Sequence, residues 1–195
     1  DMKEFIQLWQ HLAEKNGIPG IHFVARADSI GKADEIYKKN FMNEVKARYD
    51  RYIDMGFDAV SSMNFRRAEI LATGFFKKII RNIRRKIFGY ALNSHDYMKL
   101  TEHYYTDEDK LDYVYPQITP RRAGKNALVY TGSTPEKFRI AIKMALEKIK
   151  DKDDEHKILF LNSWNEWGEG SYMEPDIVWG HQYLDVLREE IVEDE

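Results

Sequence analysis

Hydrophobic residues recur at three- and four-residue spacing in four parts of the chain, which predicts four amphipathic helices. These predicted helices cover residues 5–13, 39–55, 135–150 and 180–192. Asn16-Gly17 and Gly56 end the first two, because both glycine and asparagine tolerate the left-handed conformation of a helix end. Pro135 follows Ser133 and Thr134, and this order favours a helix that begins at the proline.

Short, almost entirely apolar runs alternate with these helices. The predicted strands are residues 18–24, 57–60, 112–115 and 157–162. A continuous apolar run of this length is typical of a strand that is buried on both faces, as in a parallel sheet covered by helices. The alternation therefore predicts an α/β fold.

Four strand–helix units are half of the eight that close a (β/α)8 barrel. A complete barrel takes about 250 residues, whereas this chain has 195. We therefore expect residues 1–195 to be a single partial domain, the C-terminal half of a TIM-type barrel with about four parallel strands. A small open α/β sheet, complete in itself, is the alternative. An isolated half barrel would leave sheet edges and an apolar face uncovered, so we would expect it to self-associate.

Residues 66–90 form the one strong charge anomaly, and we interpret them as an inserted basic amphipathic helix. Within residues 75–88, isoleucine and phenylalanine alternate with lysine and arginine at helical spacing. Such a helix can bind an anionic membrane surface or a lipid-linked glycan. The alternative is a helix whose apolar face packs on the sheet and whose basic face is solvated.

Composition excludes several classes of protein. The chain contains 43% hydrophobic and 32% charged residues, as in soluble globular proteins, and no apolar run is long enough to span a membrane. A net charge of −3 argues against a nucleic-acid partner. With no cysteine, and with no secretory leader in this stretch, we expect a cytoplasmic location, with membrane association if residues 75–88 bind lipid. The six histidines lack metal-binding spacing and no phosphate-binding glycine motif occurs, so we expect no metal and no cofactor.

Residues 158–170 change abruptly from an apolar run to a polar, aromatic segment. Glu166 and Glu169 lie three residues apart where the predicted strand ends, and in a barrel this end faces the active site. Trp164 and Trp167 offer flat apolar surfaces for sugar rings, and Asn165 offers an amide for a hydroxyl group. The spacing alone is also compatible with a loop that caps the barrel. The strand-end position and the density of aromatic and acidic residues favour catalysis.

The same segment resembles a known family. Residues 158–176, ILFLNSWNEWGEGSYMEPD, are similar to the strand-eight signature of the WbsX-type proteins, which are family 99-like glycoside hydrolase or glycosyltransferase domains of polysaccharide biosynthesis loci. Residues 115–122 and 132–138 resemble the family's preceding segments. Two features depart from the family pattern: the paired arginines at 121–122 lack a W-D-N-like stretch before them, and the family is about twice as long.

The resemblance implies a carbohydrate-active enzyme, a glycosidase or a glycosyltransferase of polysaccharide or lipopolysaccharide biosynthesis or processing. In the related endo-α-mannosidases this motif carries two catalytic carboxylates, which correspond to Glu166 and Glu169. One is thought to remove the proton of the sugar's C2 hydroxyl, giving an anhydro-sugar intermediate, while the other protonates the leaving oxygen. The candidate substrate-binding residues are Trp164, Asn165, Trp167, Tyr115, Arg121, Glu174 and Asp176. A non-catalytic glycan-binding or scaffold domain that retains the motif is the alternative.

Overall fold

The computed structural model describes residues 1–28, 30, 34–62, 64–89, 93–104 and 128–192. The helices are α1 (Met2–Lys15), α2 (Phe41–Asp54), α3 (Phe65–Ala72), α4 (Phe75–Phe88), α5 (Tyr97–Thr101), α6 (Pro135–Ile149) and α7 (Gln182–Ile191). The strands are β1 (Val24–Ala27), β2 (Ala59–Ser62), β3 (Asn93–Asp96), β4 (Leu128–Thr131), β5 (Asn165–Glu166) and β6 (Ser171–Tyr172).

All four predicted helices are present, and α1 and α6 have side-chain caps at their N-termini. The Asp1 carboxylate accepts the backbone N–H of Glu4 at the start of α1, and Gly17 follows its end with φ +73°. Thr134 caps α6 by accepting the backbone N–H of Lys137 at 3.3 Å, with Pro135 as the first helical residue. Local sequence therefore determines where these helices begin and end.

The strands form parallel pairs, as expected for an α/β fold. β1 pairs with β2 through Val24 and Ala59, and β3 pairs with β4 through Asn93 and Leu128. β5 and β6 form a short antiparallel hairpin. In the described part of the chain these are three separate two-stranded sheets and no closed barrel is formed, so the half-barrel architecture stays a prediction.

Two predicted strands are wrong in position. Residues 18–23 precede β1 instead of forming it, because the side-chain amide of Gln10 on α1 binds both the backbone N–H and the carbonyl of Ile21, at 2.9 and 2.6 Å. Residues 157–162 contain isolated bridge positions at Leu159 and Asn162 but no regular strand. The predicted strand at 112–115 lies outside the described residues. Conversely, β3 and β4 are not among the predicted strands, and the sequence of β3, NSHD, has no apolar run that would indicate one.

Buried apolar side chains form three clusters. One joins β1 and β2 to Val45 and Tyr49 of α2, and a second joins Ala68 of α3 to α5, β4 and α6. The third contains Phe138, Ile142, Met173, Tyr183 and Val186. This third cluster joins α6 and α7 to the segment that follows β6, and so it supports the motif predicted to carry the chemistry.

Candidate functional site

The motif folds as a tight hairpin. β5 ends at Glu166, a single 3-10 turn covers Trp167–Glu169, and β6 begins at Ser171. Gly170 joins the turn to β6 with φ +66°, a conformation that side chains with a Cβ adopt only under strain. Both glutamates are thus placed on one compact turn whose shape depends on a glycine.

The base of the hairpin is held by the apolar core. Met173, directly after β6, is 2% exposed and packs among Phe138 and Ile142 of α6 and Val186 of α7. Its backbone N–H donates to the carbonyl of Trp164 at 2.8 Å. The hairpin therefore rests on two packed helices, a rigid support of the kind that a functional site requires.

Two serine hydroxyls tie the strands of the hairpin together. The Ser163 hydroxyl donates to the carbonyl of Ser171 at 2.7 Å and accepts the backbone N–H of Glu166 at 3.2 Å. The Ser171 hydroxyl donates to the carbonyl of Asn162 at 2.6 Å. Because Ser171 is almost completely buried, these bonds fix the backbone from which Glu166 projects.

The two candidate catalytic carboxylates differ in their surroundings. Glu166 is exposed, whereas Glu169 is half-buried. A Cβ atom built at Gly168 would lie 3.6 Å from Oε1 of Glu166, so the Glu166 carboxylate lies over the bare backbone of the turn. Glycine at this position leaves space beside the carboxylate.

The aromatic residues of the hairpin are arranged in two ways. The Trp167 ring stacks on Tyr172, with 3.8 Å between the ring centroids and 13° between the planes, and its indole N–H donates to Glu174 at 2.5 Å. Trp164 is 54% exposed and its neighbour Asn165 is also exposed. Trp167 is therefore held in a fixed orientation, whereas Trp164 and Asn165 present their side chains to solvent.

Asp176 organises the loop that leads into α7. Its carboxylate accepts the backbone N–H groups of Val178 and Trp179, at 2.7 and 2.6 Å, and the hydroxyl of Tyr172 at 2.9 Å. Burial by itself would raise the pKa of Asp176, but these three hydrogen bonds stabilise the charged form and hold its pKa below the usual value. The acceptor positions of the Asp176 carboxylate are thus used by donors of the protein itself.

The other two candidate residues, Tyr115 and Arg121, lie outside the described residues.

A concave region that the sequence does not predict lies away from the hairpin. A cavity of about 440 Å³ lies between α3, α4 and β3, and its lining includes Arg66, Glu69, Arg81 and His95. Tyr130 donates its hydroxyl to Glu69 at 2.7 Å beside this cavity. These residues are scattered over four elements without a motif, so only folding brings them together. Among the described residues no group of three or more side chains of metal-binding type is clustered.

The whole-chain comparison decides the family. The model of the family described as "Glycosyltransferase WbsX" matches residues 1–187, nearly the whole chain. The chain belongs to the WbsX glycosyltransferase family. The resemblance noted for the motif of residues 158–176 is thereby confirmed. In the described part of this WbsX domain, no helix is long and apolar enough to cross a membrane.

Curated relatives match a smaller part of the WbsX domain. Two proteins, each named "Uncharacterized protein WxcX", are 32% identical to it over 83 residues; they come from Xanthomonas campestris pv. campestris strains B100 and ATCC 33913. The match covers 39% of this chain and 12% of each relative. No solved structure matches the chain.

Proposed function

We propose that this WbsX domain acts on glycosidic bonds and that Glu166 and Glu169 are its acid–base pair. The observation that carries the proposal is the hairpin itself. It brings two carboxylates, an exposed indole and an exposed amide to one turn, and this turn is anchored in the core through Met173. Carboxylates supply proton transfer, and an indole face supplies the stacking surface for a sugar ring.

In the proposed chemistry each of the two glutamates transfers one proton. One glutamate, ionised, removes the proton of a sugar hydroxyl, which then attacks the anomeric carbon. The other, protonated, gives its proton to the oxygen that leaves the same carbon. In transfer the attacking hydroxyl belongs to the acceptor sugar; in cleavage, by analogy with the related endo-α-mannosidases, it is the substrate's own C2 hydroxyl. We also propose the half-barrel architecture, which would place the motif at the face of the barrel that holds the active site.

The binding residues have different proposed roles. Trp164 and Asn165 are both exposed, so we assign them to sugar contact. Trp167 contributes its one ring face that Tyr172 does not cover. Glu174 and Asp176 act on the shape of the site, because each accepts hydrogen bonds from the hairpin or its following loop. Tyr115 and Arg121 remain proposed sugar contacts on the strength of the family resemblance.

The decisive experiment removes each proton-transfer group without changing its shape. In an assay of hydrolysis with aryl hexosides, and of transfer from nucleotide-activated hexoses to an oligosaccharide, Glu166→Gln and Glu169→Gln should each lower turnover by at least about a hundredfold. Thermal stability should be unchanged, because Glu166 is exposed and Glu169 only half-buried. Glu14→Gln, an exposed glutamate on α1, is the matched control and should retain full activity.

A glycan-binding domain is the second candidate, and the openness of the hairpin favours it. Trp164 is more than half exposed, as in a surface that binds a glycan without enclosing it. Trp164→Ala should then abolish binding to a glycan array, while the two glutamate variants still bind. Retention of normal turnover by either glutamate variant would reject the catalytic assignment.

A further inference from the structure

The apolar stripe of α4 is exposed along its whole length. This stripe consists of Phe76, Ile79, Ile80, Ile83 and Ile87. Ile80 and Ile83 are about half exposed and Ile87 is 67% exposed. By contrast, Phe138, Ile142 and Ile149 of the similarly long α6 are at most 3% exposed. The alternative interpretation, in which α4 packs its apolar face on the sheet, therefore does not agree with the described structure.

The charge of α4 is of one sign only. The helix contains six lysine and arginine residues and no acidic residue. The rest of the chain has 24 basic and 33 acidic residues, so α4 is a cationic patch on an otherwise acidic protein. Another helix with exposed apolar residues, α1, has two lysines and two glutamates and is neutral. An apolar helix face whose charged neighbours on the same helix are all cations complements an anionic lipid surface.

The attachment of α4 leaves its apolar stripe facing outward. Lys77 donates to the backbone carbonyl of Ser94, and Arg81, one turn further along, donates to the side chain of Asn93 at 2.6 Å. Residues 77 and 81 share one face because they are four apart. Ile80 precedes Arg81 by one residue, which is a rotation of about 100° around the helix. The face of α4 that contacts β3 is thus different from the face that carries the apolar stripe.

The length of α4 fixes how it can meet a bilayer. Its 14 residues span about 21 Å at 1.5 Å per residue, less than the hydrocarbon thickness of about 30 Å. The helix therefore has the dimensions of one that lies in the plane of the interface, with the isoleucines among the acyl chains and the cations among the headgroups.

We propose that α4 docks this protein on an anionic membrane surface. The isoleucine stripe enters the outer part of the lipid layer, and Lys78, Arg84, Arg85 and Lys86, which are all exposed, contact the anionic headgroups. Lys77 and Arg81 hold the helix on β3. The proposal depends on α4 alone and is independent of the roles assigned to Glu166 and Glu169.

The test is co-sedimentation of the protein with lipid vesicles. Binding to vesicles containing one third phosphatidylglycerol should exceed binding to pure phosphatidylcholine vesicles by at least about tenfold, since each cation near the surface adds to the attraction. Raising the salt to about 1 M, where the Debye length is about 3 Å, should remove most of this preference. Binding that ignores both lipid charge and salt would overturn the proposal.

Variants separate the two contributions of α4. Replacing Ile83 and Ile87 by Ser should lower the partition coefficient at least about tenfold. Replacing Lys78, Arg84, Arg85 and Lys86 by Gln should remove the preference for anionic lipid. The circular dichroism spectrum and Tm should stay unchanged, because all six side chains are exposed. The matched controls are Leu8→Ser on α1 and the quadruple Gln variant of Lys3, Lys15, Lys46 and Arg51, and both should bind vesicles normally.

A second copy of the chain is the competing occupant of the stripe. Light scattering after size-exclusion chromatography measures the molar mass and so shows whether the protein is a dimer. A dimer that the Ile83→Ser, Ile87→Ser variant makes monomeric, together with vesicle binding unaffected by that variant, would overturn the membrane proposal and assign α4 to self-association. Vesicle binding lost in that variant but kept in Leu8→Ser supports the proposal, whatever the activity of the glutamate variants.

Discussion

At the scale of single residues, the hairpin of residues 165–172 contains two glycines that differ in what they contribute to its structure. Gly170 has φ +66°, whereas Gly168 has no left-handed conformation and a Cβ there would meet Glu166 Oε1 at an ordinary contact distance of 3.6 Å. One glycine is therefore required by the backbone, and the other only leaves room beside a carboxylate.

The two alanine variants should differ accordingly. Gly170→Ala should lower the free energy of unfolding by about 1–2 kcal/mol, because Ala is strained in the left-handed region. Gly168→Ala should leave it nearly unchanged and serves as the matched control. Urea unfolding of both proteins measures the difference, and equal stability of the two variants would contradict this account of the hairpin.

Single residues of this site could be predicted from sequence to a limited extent. The position of Glu166 and Glu169 on one turn follows from their spacing and from the glycines around them. The bond from Trp167 to Glu174 and the three donors to Asp176 did not follow. The bonds from the Trp167 and Tyr172 side chains depend on how the loop of residues 173–180 folds back, which is a matter of packing. The two backbone bonds are local, because Asp176 accepts them from residues two and three positions ahead.

At the scale of elements, the hairpin is joined to the protein through Met173. This side chain is 2% exposed in the cluster of α6 and α7, and it follows β6 directly. The two helices are also joined at the surface by Arg139, which donates to Glu190 at 2.6 Å and also to Glu189. The apolar contact is the more important of the two, because ion pairs whose side chains keep partial contact with solvent contribute little.

Met173→Ala should therefore lower the free energy of unfolding by about 2–4 kcal/mol, the range for a truncated core side chain that leaves a cavity. Ligand affinity at the hairpin should fall with it, since the hairpin loses its support. Met2→Ala, at an exposed position on α1, is the control and should cost almost nothing. A small effect of Met173→Ala in thermal unfolding would mean that the hairpin is held by its hydrogen bonds instead.

Helices were easier to predict than strands, and particular residues explain the difference. Thr134-Pro135 and Asn16-Gly17 are local signals, and the helices beside them begin and end as predicted. Strand pairing is not local. Because the Gln10 side chain binds the backbone of Ile21, β1 begins later than predicted and ends at residue 27. The sequence of β3 is polar, and this segment is a strand because it pairs with β4.

At the scale of the whole molecule, one buried histidine connects stability to pH. His95 of β3 is 2% exposed, lies within 3.0 Å of the Asn93 side chain and is near Lys77 and Arg81. Burial first, and then these two cations, lower the pKa of His95 from 6.5 to about 4. The folded protein therefore keeps this ring neutral at a pH where the unfolded chain protonates it.

The sign of the effect follows from that difference. Between pH 6.5 and about 4 the unfolded state binds the extra proton, so the free energy of unfolding should fall with acidification, by at most about 3 kcal/mol from this group. Above pH 6.5 the ring is neutral in both states, so His95 does not lower the free energy of unfolding there. In chemical denaturation across this range, His95→Gln should have a shallower pH dependence than the parent protein and than His11→Gln, an exposed control. Identical slopes would exclude His95 as the cause.

The distribution of tryptophan has an optical consequence. The chain has four tryptophans, and Trp164, Trp167 and Trp179 all lie on the site hairpin or the loop that follows it. Trp167 is stacked on a tyrosine ring, whereas Trp164 faces water. The ultraviolet emission of the protein therefore originates mainly at this one place, and a sugar laid across Trp164 would displace water from it and shift the emission to shorter wavelength. The protein has a natural fluorophore at the position where its ligand is proposed to bind, and no label has to be attached.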